Sequence, residues 1–452
     1  MNFGTGQNKL DVLKKGWIYA AALLVVAITL SCTMVTGIFS KQLQILGSDG
    51  LMGLIAYVGT DGNIYTIARD GKQQTAITQD ANPSPDSGEA GRIYQYPTWS
   101  PNGRKLAFMG FTGSLQTELQ ARLYTASSNG KERVEAFSSQ DYFPFYLFWS
   151  PNSQYVTFLS NASGGNGLTL HMAAAAGGNS QILGNGQPFY WDWSPDNKVI
   201  IVHTGGAASD NPDARMALFE LDGSIQKKEL DLKPASFRAP AWSPGGKEMV
   251  LATESQAGGG ELVLAGRDGN VKRVLTQLSG PVAFAWSPDG GSLAYTNPVE
   301  GDLSGLLKRL ILIDPAQPDV GKDIIQGAVV AFFWSPDNQK IAYFKVSLDN
   351  PIEVSLRNTQ SSSKINLEVQ VYDLRSGETK QVAAFQPTNA FLQVFPFFDQ
   401  YQRSGTIWSP DSKNLVLAAI DNNGGSSILV VGAEGGQSQK IAEGDLAFWS
   451  WK

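Results

Sequence analysis

The chain is poor in the residues that most site chemistry needs. Its 452 residues hold one cysteine, Cys32, and two histidines, His171 and His203. A single thiol excludes a disulfide framework and a cysteine zinc cluster, and two histidines leave little for a histidine-rich metal site. Charged residues are only 17% of the chain, with a net charge of −6. An acidic balance argues against a nucleic-acid binder. Low charge combined with 42% hydrophobic residues excludes a largely disordered chain. Long apolar runs are absent except for one, which excludes a polytopic membrane protein. The nucleophile elbow G-x-S-x-G and the phosphate-binding GxxxxGK stretch are also missing. What the chain does have is 48 glycines and 11 tryptophans.

The one apolar run extends from Trp17 to Phe39, 23 residues without a charge. That is long enough for one membrane-spanning helix. Lys9, Lys14 and Lys15 precede it, and Lys41 alone follows closely. The positive-inside rule then predicts a cytoplasmic tail over 1–16, a transmembrane helix over 17–39 and a linker over 40–50. Two rivals stand beside the uncleaved anchor. A cleaved signal peptide has a shorter apolar core, whereas here the run continues past Cys32. A lipoprotein signal would resemble Leu-Ala-Gly-Cys, from which Thr29-Leu30-Ser31-Cys32 departs in the positions before the cysteine. All three place the bulk of the chain on the extracytoplasmic side.

That bulk is a repeat. Tryptophan followed by Ser-Pro recurs at Trp99, Trp149, Trp193, Trp242, Trp286, Trp334 and Trp408, and Trp449-Ser450-Trp451 closes the chain without the proline. Eight of the 11 tryptophans thus share one register, which chance does not produce. Each unit reads as a short strand ending at tryptophan, a Pro-Asp/Asn-Gly type turn and three further strands. The second strands fall at Leu106–Met109, Val156–Leu159, Val199–Val202, Met249–Ala252, Leu293–Tyr295, Ile341–Phe344 and Leu415–Ala418. Four short strands at a 40–50-residue period describe one blade of a propeller. The first unit, Ile55–Thr78, lacks its tryptophan strand, and Leu446–Trp451 supplies it. The expectation is an all-β, eight-bladed propeller of four-stranded antiparallel blades over 51–452, with its ring closed by the two ends of the domain.

The WSPDG-like turn and the strand after it resemble the WD-like repeat of TolB-type β-propellers. The same repeat is seen in the propeller of the prolyl oligopeptidase and dipeptidyl-peptidase IV enzymes. The resemblance covers about residues 50–452 and implies the fold. TolB-type proteins have six blades and a separate N-terminal domain, so an eight-unit chain with a membrane helix does not inherit the Tol role. Without the nucleophile elbow or a C-terminal hydrolase-sized segment, the peptidase activity is not implied either.

In such a blade the connections after strands two and four share one face. In this chain they are the long ones, including 79–95, 140–145, 205–213, 346–364 and 387–405, and binding residues concentrate on such loops. Two of them are aromatic. One carries Tyr142, Phe143, Phe145 and Tyr146; the other carries Phe391, Phe395, Phe397, Phe398 and Tyr401. These nine residues are the candidate partner-binding set, either as an exposed apolar patch or as packing between blades and across the central channel. His171 and His203 read as core or channel-lining residues. Asp196, Asp289, Asp337 and Asp411 occupy turn positions where a carboxylate bonds its own backbone. No catalytic, cofactor or metal site is expected. The sequence points to a non-enzymatic interaction scaffold in the cell membrane, N-terminus inside, serving a protein partner in an envelope complex. The alternative is a propeller enzyme, a carbohydrate lyase or hydrolase or a peptide-processing enzyme, with its site at the channel mouth.

Overall fold

The repeated Trp-Ser-Pro turn closes itself with the same bonds in six of its seven copies, the exception being Ser243, which has Gly245 where the others have Asp or Asn. The hydroxyls of Ser100, Ser150, Ser194, Ser287, Ser335 and Ser409 donate to the side-chain oxygen two residues on, at Asn102, Asn152, Asp196, Asp289, Asp337 and Asp411 (2.6–2.9 Å). Each hydroxyl also accepts the backbone N–H five residues on, which starts the second strand. The turn brings one residue into the left-handed region: Gly103, Ser153, Asn197, Gly246, Gly290, Asn338 and Ser412 all have φ between 57° and 76°. Glycine and asparagine recur there because a bulkier side chain is strained at that φ. The aspartates are therefore structural.

A computed structural model describes residues 53–83, 89–114, 118–162, 167–236, 238–302, 306–347 and 365–452. The expected tail, transmembrane helix and linker, with Cys32, lie outside the described residues. Among the described residues no helix is long and apolar enough to cross a membrane. The described chain is all-β apart from one helical insert. Five four-stranded antiparallel sheets follow one another, each beginning on a tryptophan strand: Gly91–Trp99, Tyr142–Trp149, Phe189–Trp193, Ala241–Trp242 and Ala283–Trp286. The remaining strands form a ten-stranded sheet that begins at Val329–Trp334 and ends at Thr75–Ala76.

Two long strands hold that larger sheet together. Thr379–Pro387 pairs through its first part with Leu367–Asp373 and through Gln386 and Pro387 with Asn414–Ile420. Gln439–Trp449 pairs first with Ser426–Gly432 and then, over Gly444–Trp449, with Ile55–Gly59. The last strand of the chain thus completes the sheet that the first begins, with Trp449 opposite Ile55 and Phe448 opposite Ala56.

The tryptophans link each sheet to the one before it. The indole N–H of Trp149 donates to Thr98 O, that of Trp286 to Ala241 O, that of Trp334 to Ala285 O and that of Trp408 to Phe333 O (3.0–3.3 Å). Trp99 donates to Phe448 O across the closure (3.2 Å). In every case the acceptor is the carbonyl just before the preceding tryptophan. Trp193 reaches the equivalent carbonyl, Phe148 O, through the Thr157 hydroxyl, which also accepts from Trp191. Trp242 and Trp449 have no acceptor for their buried indole N–H.

Candidate functional site

The connection 387–405, expected as a loop, folds largely into helix. Thr388 caps a short helix, α1 (Asn389–Leu392), by accepting the Phe391 N–H. A 3-10 turn, Phe395–Phe397, follows, and then α2 (Phe398–Ser404), with Asp399 in its first turn and Arg403 in its last, where both suit the helix dipole. The insert touches tryptophan strands all round the ring. Tyr96 bonds Gln393, Tyr146 donates to Gln400 O, Gln400 donates to Trp191 O, and Phe398 packs on Phe332 and Phe333. Only a position near the ring axis reaches all of these strands, so the insert lies across the central channel.

Buried charge pins it there. Arg403 Nη1 bonds Asp192 Oδ2 at 2.5 Å, and the same oxygen accepts the Trp242 N–H. Burial pushes the Asp192 carboxyl up to about 6, against the opposing pull of Arg403 and two backbone N–H groups. Asp399 Oδ2 accepts the Ala239 N–H, and burial raises its carboxyl too, opposed by Arg238. Arg238 bonds Pro396 O and lies over the Phe397 ring.

The aromatic candidates divide sharply. Tyr146, Phe391, Phe395 and Phe398 are core, and the expectation of one exposed patch is corrected for them. Phe391 and Phe395 pack edge to face on each other and against Phe344, because the apolar side chains of the insert bury better against the blades than in water. Tyr142, Phe143, Phe145 and Tyr401 are half-buried. The run 142–146 is also no loop: it opens the strand Tyr142–Trp149, whose aromatic residues favour a half-buried pleat. A register shift between Pro144 and Tyr146 leaves Phe145 unpaired at a bulge. Phe397 alone among the nine is strongly exposed, at 46%.

Phe145, Tyr146, Phe397 and Tyr401 nevertheless come together. They line a cavity of about 430 Å³ with Tyr96, Leu159, Leu168, Pro188, Phe189, Tyr190, Pro396 and the amides of Gln393 and Gln400. The lining contains no charged residue. It draws on three tryptophan strands, through Tyr96, Phe145 with Tyr146, and Phe189 with Tyr190, on the strands Tyr155–Ala162 and Leu168–Ala174 and on the insert, so it opens on the face of the long connections. Its walls are fixed. The Tyr146 ring meets Trp191 and Tyr401 edge to face (5.1 and 4.8 Å), and its hydroxyl bonds Gln400 O at 2.7 Å. Gln400 Oε1 is buried and has no hydrogen-bond partner. Such an arrangement can hold an uncharged apolar group and orient it through a few polar atoms.

The sequence did not point to Asp192, Asp399, Arg403, Leu159, Leu168 or Tyr190. One signal was present: an aspartate inside Phe189-Tyr190-Trp191-Asp192-Trp193, a strand otherwise wholly apolar, which calls for a buried cationic partner. The histidines are internal. His171 stacks on Phe158 at 4.8 Å and bonds Ser160, and burial lowers it to about 4. His203 faces the carbonyls of Arg238 and Gly206, and burial lowers it. Among the described residues no three His, Cys, Asp or Glu side chains gather as a metal site.

Neither a family model nor a curated relative matches the chain. Solved structures do. A prolyl endopeptidase shares 13% identity over 79% of this chain and 50% of its own, with a TM-score of 0.51. The chain thus spans about half the length of that enzyme. TolB from Acinetobacter baumannii matches at 13% identity over 75% of this chain and 83% of its own, with a TM-score of 0.40. An oligogalacturonate lyase in complex with manganese matches at 14% over 84% and 95%, with a TM-score of 0.47. The first of these likenesses shows the fold: the chain is a β-propeller, as the Trp-Ser-Pro repeat implies.

Proposed function

We propose that the chain is an eight-bladed propeller held to the cell membrane by residues 17–39, with the propeller on the extracytoplasmic side. There it serves as a non-enzymatic interaction scaffold, an accessory subunit of an envelope complex. The blade count is supported by the eight tryptophan-anchored units and by the pairing of Gly444–Trp449 with Ile55–Gly59. The anchor is supported by the uncharged 23-residue run and the lysines before it. One observation carries the scaffold role. A helical insert covers the channel, and it presents Phe397, exposed and pinned by Arg238, on the face of the long connections. An exposed aromatic held in one orientation is a favoured anchor for a protein partner. The covered channel mouth weighs against an enzyme site there.

The test is co-purification from native membranes in mild detergent. Phe397→Ser should reduce recovery of the partner on the order of thirtyfold, matching about 2 kcal/mol for a good anchor. Its melting curve should shift little, because nearly half of the side chain is exposed. A folded variant with its partner still bound would sink this interface. Protease added to intact spheroplasts should digest the propeller, and a protected propeller would refute the placement.

A further inference from the structure

The cavity beside the insert has features that a flat docking surface does not need. It encloses about 430 Å³, within the range of small-molecule sites, roughly 300–1,000 Å³. Its wall is preformed: Tyr146 is braced by Trp191 and Tyr401, and Tyr96 is tied to Gln393. No lining residue is charged, so an ionic ligand would lose its water without gaining a counter-charge. The rings present faces and edges that stack on a flat aromatic body.

We propose that this cavity is a binding site for an uncharged, mainly aromatic small molecule. This goes beyond the scaffold role and does not depend on it. The ligand enters from the long-connection face and stacks between the Tyr401 side and the Leu159 and Leu168 side. It also adds contacts to the insert, since Gln393, Pro396, Phe397, Gln400 and Tyr401 belong to the same segment. A bound ligand therefore tightens the insert on the channel.

Indole and indoleacetate are the probes, titrated by calorimetry into the full chain in nanodiscs. Leu168→Trp serves as the blank, because a larger ring at this half-buried lining position fills the cavity and bilayer partition cancels in the difference. Saturable indole binding is expected in the parent and at least tenfold weaker binding in Leu168→Trp. Indoleacetate should bind more weakly than indole, because the lining offers its carboxylate no counter-charge. Phe145→Ser opens the wall from a half-buried position. It should also weaken indole binding, which guards against misfolding of the tryptophan variant. No saturable binding, equal binding in both variants, or tightest binding of the anion would each overturn the proposal. Partner recovery is read on Leu168→Trp, which leaves Phe397 in place, so retained recovery with lost indole binding separates this proposal from the scaffold role.

Discussion

At Trp149 and at Trp242 the same residue occupies the same turn, yet the two indoles differ in one bond. Trp149 gives its N–H to Thr98 O, as Trp286, Trp334 and Trp408 do to their own neighbours. Trp242 is equally embedded and its N–H has no acceptor. The difference traces to the strand before it. There Asp192 takes the Trp242 backbone N–H on its side chain and pairs with Arg403 of the insert. Trp449 is the other orphan, and it follows the irregular strand into which the insert runs. The two indoles left without an acceptor thus sit where the ring receives the insert. A fold that relaxes a local rule beside a feature it must hold is the ordinary pattern at functional sites.

The largest blow to the regular part is to open the ring. Deleting Leu446–Lys452 removes the partner of Ile55–Gly59 and the acceptor of Trp99. Each buried backbone group left unpaired costs about 1–3 kcal/mol, and several together approach a typical net stability of roughly 5–15 kcal/mol. The truncated protein should aggregate or melt far lower than the parent in calorimetry. A melt like that of the full chain would mean the closure does not hold the ring.

The irregular part should show itself through pH. Burial holds Asp192 at about 6 when folded, above roughly 3.9 when unfolded. Between those values the folded state binds the extra proton. The contribution of this group is therefore full below about pH 4 and is lost as pH rises through about 6. Asp192→Asn has no such titration. It should be less stable throughout because Arg403 loses its partner, but its deficit should shrink from pH 4 to pH 7, by up to about 3 kcal/mol. Paired melts across that window give the slope. A deficit that grows with pH would mean Arg403 outweighs burial and depresses the carboxyl.

The regular part was legible because its code is local. Trp-Ser-Pro-Asp/Asn fixes a serine hydroxyl, a carboxylate or amide and a left-handed residue within a few positions, and such short-range bonds survive in any context. Strand alternation and the pairing of Leu446–Trp451 with the first strand followed from the same count. The insert was not legible. Phe391, Phe395 and Phe398 read equally as surface or channel until their neighbours are known, because no periodicity marks a segment this short. The meeting of Phe145 with Phe397 and Tyr401 joins residues about 250 positions apart, and no local pattern carries that. Asp192 was the one visible irregularity, a charge in an apolar strand, and it marks where the insert is bound.

The smallest effect isolates a single hydrogen bond. Trp149→Phe and Trp242→Phe remove the same atoms from sites that are both nearly fully buried, 1% and 4% exposed. The cavity cost should be similar in the two and cancel in their difference. Trp149→Phe also strands Thr98 O in the core, whereas Trp242→Phe deletes an N–H that had no acceptor. Arg267 stays over a ring in either form at that position, since phenylalanine keeps an aromatic face. Trp149→Phe should therefore be the more destabilising by about 1–3 kcal/mol, the cost of leaving a buried polar group unmatched. Urea melts of the two variants on one day, in one buffer, give the difference directly. Equal losses would mean that Trp242 finds an acceptor in solution, and the contrast between the regular ring and the segment that receives the insert would then rest on Asp192 and Arg403 alone.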